Sequence, residues 1–309
     1  MNKENPIWYI LGAGAIGSLW GVSWVKQHAK PVLLLRDEAH IVQYQQAGGI
    51  SLHEDDGLHF YPLDAGYAGQ EIEVSKLLIT TKSWQTLDAI RPLGPFLKPD
   101  AKILLLQNGM GVADQIVKEF PQQQLYCGIT TDGVYRSGRF SITRAGTGKT
   151  VIGPYHNCPS DGLQELLTEL PGQQLDIETT INILPSLWEK LLINSIINPL
   201  TALYDCPNGE LIKLKHRQRI TRLTEEAAQI ATAAGYPTSS QALTEKVLQI
   251  ADSTATNISS MLADFRAGRS SELNDITGYL CQQANVHDIN CPSHQQLLIQ
   301  LAKPPHAVL

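Results

Sequence analysis

The sequence has little charge and no excess of positive charge. Only 17% of its 309 residues are Asp, Glu, Lys or Arg, and the formal net charge is −6, whereas about 25% is usual in soluble domains. Such a chain lacks the basic surface with which proteins bind the phosphate backbone, so no nucleic-acid partner is expected. An anionic ligand would have to be held by local donors, because the overall field does not attract it.

Long apolar runs and closely spaced pairs of cysteines are also missing. No stretch of the sequence reaches the roughly 18 consecutive apolar residues of a membrane span, so no membrane partner is expected. The short polar start leads straight into an apolar segment, without the pattern of a signal peptide. The five cysteines lack the spacing of a metal knuckle. We therefore expect reduced thiols, a cytoplasmic location and no metal.

The first part of the chain alternates short apolar runs with helical patterns, which is typical of a parallel sheet covered on both faces. Strands are predicted at Ile7–Leu11, Val32–Leu35, Lys76–Thr80 and Lys102–Leu106, and helices at Ile16–Gln27, Glu38–Ala47, Trp84–Arg91 and Val112–Phe120. Glycine turns then separate three more predicted strands, Leu125–Thr131, Gly133–Arg144 and Thr147–Gly153. These predict an antiparallel extension of the sheet.

From Ile181 onward the sequence has only helical periodicity. Helices are predicted at Leu187–Tyr204, Arg217–Ala234, Ser240–Asp252, Ile258–Ala267, Ile276–Ala284 and Ser293–Leu301. The predicted fold is therefore α/β plus all-α. Residues 1–180 would form a Rossmann-type domain and residues 181–309 a helical substrate and catalytic domain. Ligand clefts commonly lie between such domains, and we expect one here.

A glycine-rich turn follows the first predicted strand. Gly12, Gly14 and Gly17 form G-x-G-x-x-G within IWYILGAGAIGSLW, where a strand passes into a helix. Glycines at this spacing permit a tight turn, close approach of a pyrophosphate and close helix packing, while the helix N-terminus faces the phosphate charge. The turn predicts a dinucleotide held along Gly12, Ala13, Gly14, Ala15, Ile16 and Gly17. A glycine-rich turn without a ligand is the alternative.

The residue that leaves the second strand distinguishes NAD from NADP. Arg36 stands there, and a guanidinium pairs well with a 2′-phosphate, so NADPH is favoured. The alternative is that Asp37 binds a free ribose hydroxyl and Arg36 is a surface charge. Lys82 and Asn108 each follow a later strand, at the sheet edge where such folds bind ligands. A solvated lysine and a simple Asn-Gly turn are the competing interpretations.

The segment LWEKLLINSIINPLTALYDCPNGEL carries a polar stripe on an otherwise apolar helix. At 100° per residue, Lys190, Asn194, Asn198 and Thr201 fall within about 80° of one another. Asparagines disfavour helix, so a stripe of one lysine and two asparagines suggests a buried polar site. We expect Pro199 to kink the helix and turn Asn198 toward the cleft. A packing helix whose lysine reaches out to water is the alternative.

A second polar set lies further along. Asn257, Ser260 and Asp264 are spaced as if on one helical face, and Glu272 follows in the turn to the next helix. Asn257 could equally cap a helix, and Glu272 could be a carboxylate favoured by the helix dipole.

Four segments, LWEKLLINSIINPLTALYDCPNGEL, TNISSML, GAGAIG and QNGMG, together resemble the 2-dehydropantoate 2-reductase (ketopantoate reductase) family. The resemblance extends from Ile7 to about Leu301. It implies NADPH-dependent reduction of ketopantoate to (R)-pantoate in pantothenate and coenzyme A biosynthesis. Two features depart from the family pattern. Asn274 stands where the family usually has Asp, two residues beyond the glutamate, and Thr277-Gly278 replaces a common Asn-Gly.

The resemblance also implies roles for individual residues. Lys190 would be the general acid and Glu272 its acidic partner in catalysis and binding. Arg36 would bind the 2′-phosphate. The implied substrate contacts are Asn108, Asn194, Asn198, Asn257 and Ser260. Lys82, Asn108 and Glu272 would contact the cofactor.

Other functions remain open at this point. The chain could reduce another small 2-oxoacid, or it could be a non-catalytic NADP-sensing protein, although a sensor would not need Lys190, Asn194 and Glu272. Acyl-CoA dehydrogenases with a similar first domain use a catalytic histidine, and no histidine of this chain stands at a comparable position. The sequence is compatible with a monomer or a homodimer.

Overall fold

The computed structural model describes residues 7–302, and contacts within the chain divide it into two compact units. The N-terminal unit comprises residues 7–107 and 112–184. The helical unit comprises residues 185–302 together with the short loop Asn108–Gly111. The units therefore separate between Leu184 and Pro185, and the loop after one of the sheet strands belongs with the helices.

Twelve strands are present in the described residues. In chain order they are β1 (Tyr9–Leu11), β2 (Val32–Leu35), β3 (Ile50–Glu54), β4 (Gly57–Tyr61), β5 (Asp64–Tyr67), β6 (Val74–Ile79), β7 (Leu97–Leu106), β8 (Gln124–Thr130), β9 (Gly133–Gly138), β10 (Ser141–Gly146), β11 (Lys149–His156) and β12 (Asp176–Thr179).

Eight of these strands form the main sheet, in the order β12-β11-β8-β7-β6-β1-β2-β5. From β5 to β8 all neighbours pair in parallel, and β11 pairs antiparallel with β8. Leu77, Leu78 and Ile79 are consecutive and fully buried, which means that both faces of the sheet are covered. The predicted fold class, a Rossmann-type parallel sheet with an antiparallel extension followed by a helical region, is confirmed.

A second sheet was not predicted. It has the order β4-β3-β10-β9. The stretch Gly133–Arg144, predicted as one strand of the main sheet, is in fact a hairpin of this second sheet. The hairpin turns at Arg139 and Phe140, and Phe140 adopts a left-handed conformation with φ of 55°. Strands β3, β4, β5 and β12 were not predicted either, because each has only four or five residues and its apolar pattern is too short to stand out.

Five helices belong to the N-terminal unit: α1 (Ala15–Lys26), α2 (Glu38–Ala47), α3 (Thr86–Ile90), α4 (Val112–Glu119) and α5 (Gly162–Glu169). Helix α1 contacts β1 on one side and β3, β9 and β10 on the other. It is apolar around most of its surface because it is enclosed by both sheets. Trp24 stacks on Trp8 with 5.3 Å between ring centroids, and its Nε1 donates to the carbonyl oxygen of Glu169 at 2.9 Å. This contact joins α1 to the end of α5.

The helical unit contains α6 (Leu184–Tyr204), α7 (Leu214–Ala233), α8 (Ser240–Ser253), α9 (Ser260–Arg266), α10 (Tyr279–Val286) and α11 (Pro292–Leu301). As predicted, residues 185–302 contain no strand. Helix α6 continues through Pro199 and is buried on nearly every side from Leu191 onward. A π-helical turn, Asn274–Gly278, directly precedes α10. No helix among the described residues has the length and apolar character to cross a membrane.

Candidate active site

Two glycines of the turn between β1 and α1 are required by the packing of the chain itself. Gly12 has φ of +117°, and a Cβ there would lie 2.8 Å from the backbone nitrogen of Thr81. A Cβ on Gly17 would lie 2.0 Å from the carbonyl oxygen of Gly12. Since neither contact can be accommodated without moving backbone, both positions need glycine whether or not a ligand binds.

Gly14 is different, because no atom of the described residues 7–302 crowds it. The nearest atom to a Cβ on Gly14 would be the carbonyl oxygen of Thr80, at 3.9 Å. Gly14 is the N-cap of α1, where no side chain caps the helix and no acidic residue stands in the first turn. The first backbone N–H groups of α1 are thus suited to an anion, with room beside Gly14 for it to approach. The residues present fit a pyrophosphate.

Arg36 and Asp37 follow β2, and their side chains differ in contacts and exposure. The Asp37 carboxylate caps α2, accepting from the backbone N–H of His40 at 3.0 Å and contacting the His40 ring at 2.6 Å. These hydrogen bonds with His40 lower the pKa of Asp37. Because this carboxylate is engaged, the alternative that Asp37 binds a ribose is disfavoured. Arg36 is exposed at the end of the strand.

The segment after β6 lies against the glycine turn. The Thr80 hydroxyl donates to the carbonyl oxygen of Gly12 at 2.9 Å. Lys82 follows two residues later, partly buried, at the start of the 3₁₀ turn Ser83–Gln85. The structure thus places Lys82 at the same sheet edge as the glycine turn, in the N-terminal unit.

Asn108 follows β7, but its loop packs against the π-helical turn within the helical unit. The Asn108 Nδ2 donates to Glu272 Oε2 at 3.3 Å, and the Met110 N–H donates to the carbonyl oxygen of Asp275 at 3.1 Å. Gly109 has φ of +82°, and a Cβ there would lie 2.5 Å from that same carbonyl oxygen. Asn108-Gly109 is therefore a turn, as its alternative interpretation held, and this turn also brings Asn108 to Glu272.

Glu272 is 5% exposed and lies two residues before the first residue of the π-helical turn. π-Helical turns are rare and frequent at functional sites. The backbone carbonyl of Glu272 accepts from the Ile276 N–H at 3.0 Å, which holds the residue at the start of this turn. A buried carboxylate needs polar or charged neighbours. Asn108 supplies one, and the charge of Glu272 also acts on Lys190.

Lys190 lies on α6 and is partly buried. Burial lowers the pKa of its ammonium to about 8, and the negative charge of Glu272 opposes that fall. The lysine is therefore mostly protonated at neutral pH and gives up its proton more readily than an exposed lysine. Of the two interpretations of this helix, the buried polar site agrees better with the lowered pKa than a lysine extended into water does.

Asn194, Asn198 and Thr201 all follow Lys190 along α6, but the Thr201 hydroxyl is engaged within the protein. Asn194 is partly buried and Asn198 is 7% exposed, so the stripe runs into the protein. The Thr201 hydroxyl lies within hydrogen-bond distance of the carbonyl oxygen of Ile197, at 2.9 Å, and of the Ser259 hydroxyl, at 2.7 Å. Thr201 therefore connects α6 to Ser259, the residue that precedes α9.

The prediction that Asn257, Ser260 and Asp264 share a helical face is wrong. Helix α9 begins only at Ser260, because the Ser259 hydroxyl caps it by accepting from the Leu262 N–H at 3.1 Å. Asn257 and Ser260 are exposed, with Asn257 in the preceding loop, whereas Asp264 is buried and pairs with Arg269 at 3.0 Å.

Asn208 was not among the residues that the sequence singled out. Its backbone N–H donates to the carbonyl oxygen of Asn257 at 3.0 Å, and its Nδ2 donates to Thr254 at 2.9 Å. Its Oδ1 is buried without a partner in the described part of the chain. Buried acceptors are almost always paired, so this oxygen marks a place for a donor. The signal was the Pro-Asn-Gly of the long helical motif, which resembles an ordinary turn.

Comparison with known proteins gives two matching family profiles. Residues 8–157 match the family described as "Ketopantoate reductase PanE/ApbA", and residues 182–304 match its C-terminal part. The chain is 38% identical over 290 residues to the 2-dehydropantoate 2-reductase of Salmonella typhi, covering 93% of this chain and 91% of that protein. It is 29% identical to the 2-dehydropantoate 2-reductase of Halobacterium salinarum, covering 95% and 98%.

Solved structures share the fold. A ternary structure of D-mandelate dehydrogenase with NADH and anilino(oxo)acetate has a TM-score of 0.88 at 20% identity, covering 96% of this chain and 97% of that one. The crystal structure of 2-dehydropantoate 2-reductase from Methylococcus capsulatus has a TM-score of 0.81 at 23% identity, covering 97% of both chains.

The glycine turn generates a matched pair of variants. Gly14→Ala should fold normally but bind NADPH at least about tenfold more weakly, because the new methyl group fills the space beside the helix N-terminus. Gly17→Ala should instead destabilise the N-terminal unit, since its Cβ overlaps the Gly12 carbonyl. Thermal unfolding and NADPH fluorescence titration separate the two effects. Unchanged affinity in Gly14→Ala would contradict the assignment of the turn.

Proposed function

The chain belongs to the ketopantoate reductase family, and we propose that it reduces 2-dehydropantoate (ketopantoate) to (R)-pantoate with NADPH, a step of pantothenate and coenzyme A biosynthesis. The observation that carries the proposal is Lys190, a lysine of lowered pKa acted on by the buried carboxylate of Glu272. The curated relatives named 2-dehydropantoate 2-reductase, at up to 38% identity over 93% of the chain, support the choice of substrate.

Lys190 is the proposed general acid. When bound, NADPH supplies the hydride that reduces the 2-oxo carbon. Negative charge then develops on the carbonyl oxygen, where an ammonium stabilises it and donates the proton. A pKa of about 8 suits this task, because the group stays mostly charged at pH 7 and is a stronger acid than a lysine of the ordinary 10.5.

Glu272 has two proposed roles. Its carboxylate keeps Lys190 charged, because burial alone would lower the pKa of Lys190 further. It also offers an acceptor for the hydroxyl group of the substrate. Asn108 holds this carboxylate by a hydrogen bond of 3.3 Å. Asn108 is thereby both a proposed ligand contact and the residue that orients Glu272.

Polar side chains of the helical unit provide the proposed substrate contacts. Ketopantoate carries a carboxylate, a ketone and a hydroxyl, and amide and hydroxyl side chains can pair with all three. The proposed contacts are Asn108, Asn194, Asn198, Asn257 and Ser260. We add Asn208 to this set, because its buried Oδ1 lacks a partner in the described residues and its backbone N–H donates to the carbonyl oxygen of Asn257.

A nicotinamide cofactor is supported by the family and by the NADH complexes of fold neighbours. The choice of NADPH is our proposal, and it rests on Arg36. This guanidinium is exposed at the end of β2, while the neighbouring Asp37 caps α2. The segment from Gly12 to Gly17 would hold the pyrophosphate. Lys82, Asn108 and Glu272 are the further proposed cofactor contacts.

A second candidate is reduction of another small 2-oxoacid. The observation in its favour is the fold likeness to D-mandelate dehydrogenase, whose structure contains anilino(oxo)acetate. A non-catalytic NADP-sensing role has no such support. The cytoplasmic location, and the choice between monomer and homodimer, stay predictions from the sequence.

One assay tests both substrate and acid. The loss of NADPH absorbance is followed with ketopantoate, pyruvate, branched 2-oxoacids and a phenyl-substituted 2-oxoacid, in wild type and in Lys190→Ala. We expect the highest kcat/KM for ketopantoate, and a fall in kcat of about a hundredfold in the variant, because the proton donor is gone. NADPH affinity should barely change.

A higher kcat/KM for another 2-oxoacid would replace ketopantoate as the substrate. NADPH binding without turnover of any compound would favour the sensing role. A near-normal kcat in Lys190→Ala would remove this lysine from the mechanism.

Arg36 generates a test of cofactor choice. Arg36→Ala removes the proposed partner of the 2′-phosphate, so the KM for NADPH should rise by about tenfold or more, with little change in the KM for NADH. Steady-state kinetics with each cofactor gives both values. Equal effects on NADPH and NADH would show that Arg36 does not contact the 2′-phosphate.

A further inference from the structure

Gln107, the residue that follows β7, has a buried carbonyl oxygen with no partner in the described part of the chain. The nitrogen of the same amide, in contrast, has hydrogen-bond acceptors around it. The Nε2 donates to the carbonyl oxygen of Thr81 at 2.8 Å, to the Thr81 hydroxyl at 3.2 Å and to the Thr86 hydroxyl. Buried acceptors rarely stay unpaired in folded proteins. The Oε1 of Gln107 therefore needs a hydrogen-bond donor from outside the described residues.

The orientation of this amide is set by its surroundings. The backbone oxygen of Thr81 can only accept a hydrogen bond, so the nitrogen and not the oxygen of the amide must face it. Thr86 is itself held in place, since its hydroxyl contacts the Thr81 hydroxyl at 2.8 Å and donates to the Lys82 carbonyl at 3.2 Å. Turning the amide over would place two acceptors, the amide oxygen and the Thr81 carbonyl oxygen, against each other.

The position of Gln107 in the sheet indicates where the donor comes from. The strand order reverses at β1, with β2 and β5 on one side and β6 and β7 on the other. A dinucleotide lies across such a point. With Arg36 after β2 and the pyrophosphate at Gly14, the adenosine half belongs to the β2 side. The nicotinamide riboside half then belongs above the ends of β6 and β7, where Thr81 and Gln107 stand.

We propose that Gln107 is a cofactor-binding residue, whose Oε1 accepts a hydrogen bond from the nicotinamide riboside half of NADPH. The donor is the carboxamide N–H or a ribose hydroxyl, and this half offers both. A purely structural Gln107, tying the end of β7 to the loop after β6, accounts for its nitrogen but not for its oxygen. The proposal rests on the proposed use of NADPH and adds a contact that orients the reacting ring.

The test compares cofactor fragments in equilibrium binding. Gln107→Met removes the amide and keeps a side chain of similar length. Calorimetric titration with NADP⁺ should show affinity about five- to tenfold lower than in wild type, the effect of one lost hydrogen bond. The fragment 2′,5′-ADP lacks the nicotinamide riboside, so its affinity should be unchanged.

Gln122→Met is the matched control. Gln122 is exposed and precedes β8, at the opposite sheet edge from the glycine turn. This variant should bind NADP⁺ and 2′,5′-ADP as wild type does.

A third ligand identifies the donor. The compound 2′-phospho-ADP-ribose keeps the second ribose but has no carboxamide. If Gln107→Met weakens its binding as it weakens that of NADP⁺, a ribose hydroxyl is the donor. If only NADP⁺ is weakened, the carboxamide is the donor. Both outcomes support the proposal.

Two outcomes overturn it: NADP⁺ affinity unchanged in Gln107→Met, or NADP⁺ and 2′,5′-ADP weakened alike. If Gln107→Met does not fold, Thr86→Val takes its place, because it keeps the oxygen and removes one anchor of the amide. A smaller loss, again confined to NADP⁺, is then expected, and no loss overturns the proposal. Wild-type protein that binds neither ligand would instead contradict the proposed function itself.

Discussion

The ammonium of Lys190 on α6 is the group on which the other parts of the helical unit depend. From Leu191 to Tyr204 this helix carries no charged residue, and its other charged residue, Glu189, pairs with Lys246. The carboxylate of Glu272, from a distant segment, opposes the fall in the pKa of Lys190. Glu272 is buried in turn and is held by Asn108, which comes from a third segment. Three parts of the chain thus meet around one charge.

This arrangement explains two unusual features of the local backbone. π-Helical turns are rare, and glycine is the residue that adopts positive φ without a steric penalty. Gly109 has φ of +82°, and its loop approaches the carbonyl oxygen of Asp275 in the π-helical turn. The loop is then close enough for the Asn108 amide to contact the carboxylate of Glu272. Both features are located where they set the position of a proposed catalytic group.

Sequence alone predicted the regular elements well, and β2 (Val32–Leu35) and α2 (Glu38–Ala47) have the predicted ends. These elements have strong local patterns, a run of leucines in one case and an Asp cap with a closing glycine in the other. It also identified Lys190, Asn194 and Asn198 as neighbours, since one helix places them. Sequence alone did not predict the features that depend on tertiary contacts. The second sheet and the unpaired oxygens of Asn208 and Gln107 have no local signature, whereas the start of α9 at Ser260 has one in the capping Ser259.

In the proposed mechanism, burial of Lys190, limited by Glu272, produces an acid fit for neutral pH. An NMR titration of the Lys190 side chain in ¹³C-lysine-labelled protein, assigned with the Lys190→Met variant, measures the pKa of this acid. We expect a midpoint near pH 8, so the proton needed for reduction is lost as the pH rises through that value. In Glu272→Gln the midpoint should move lower, because the charge that favours the ammonium is gone. If Lys190 titrates near the ordinary value of 10.5 in both proteins, neither burial nor Glu272 sets its pKa, and the proposed acid is wrong.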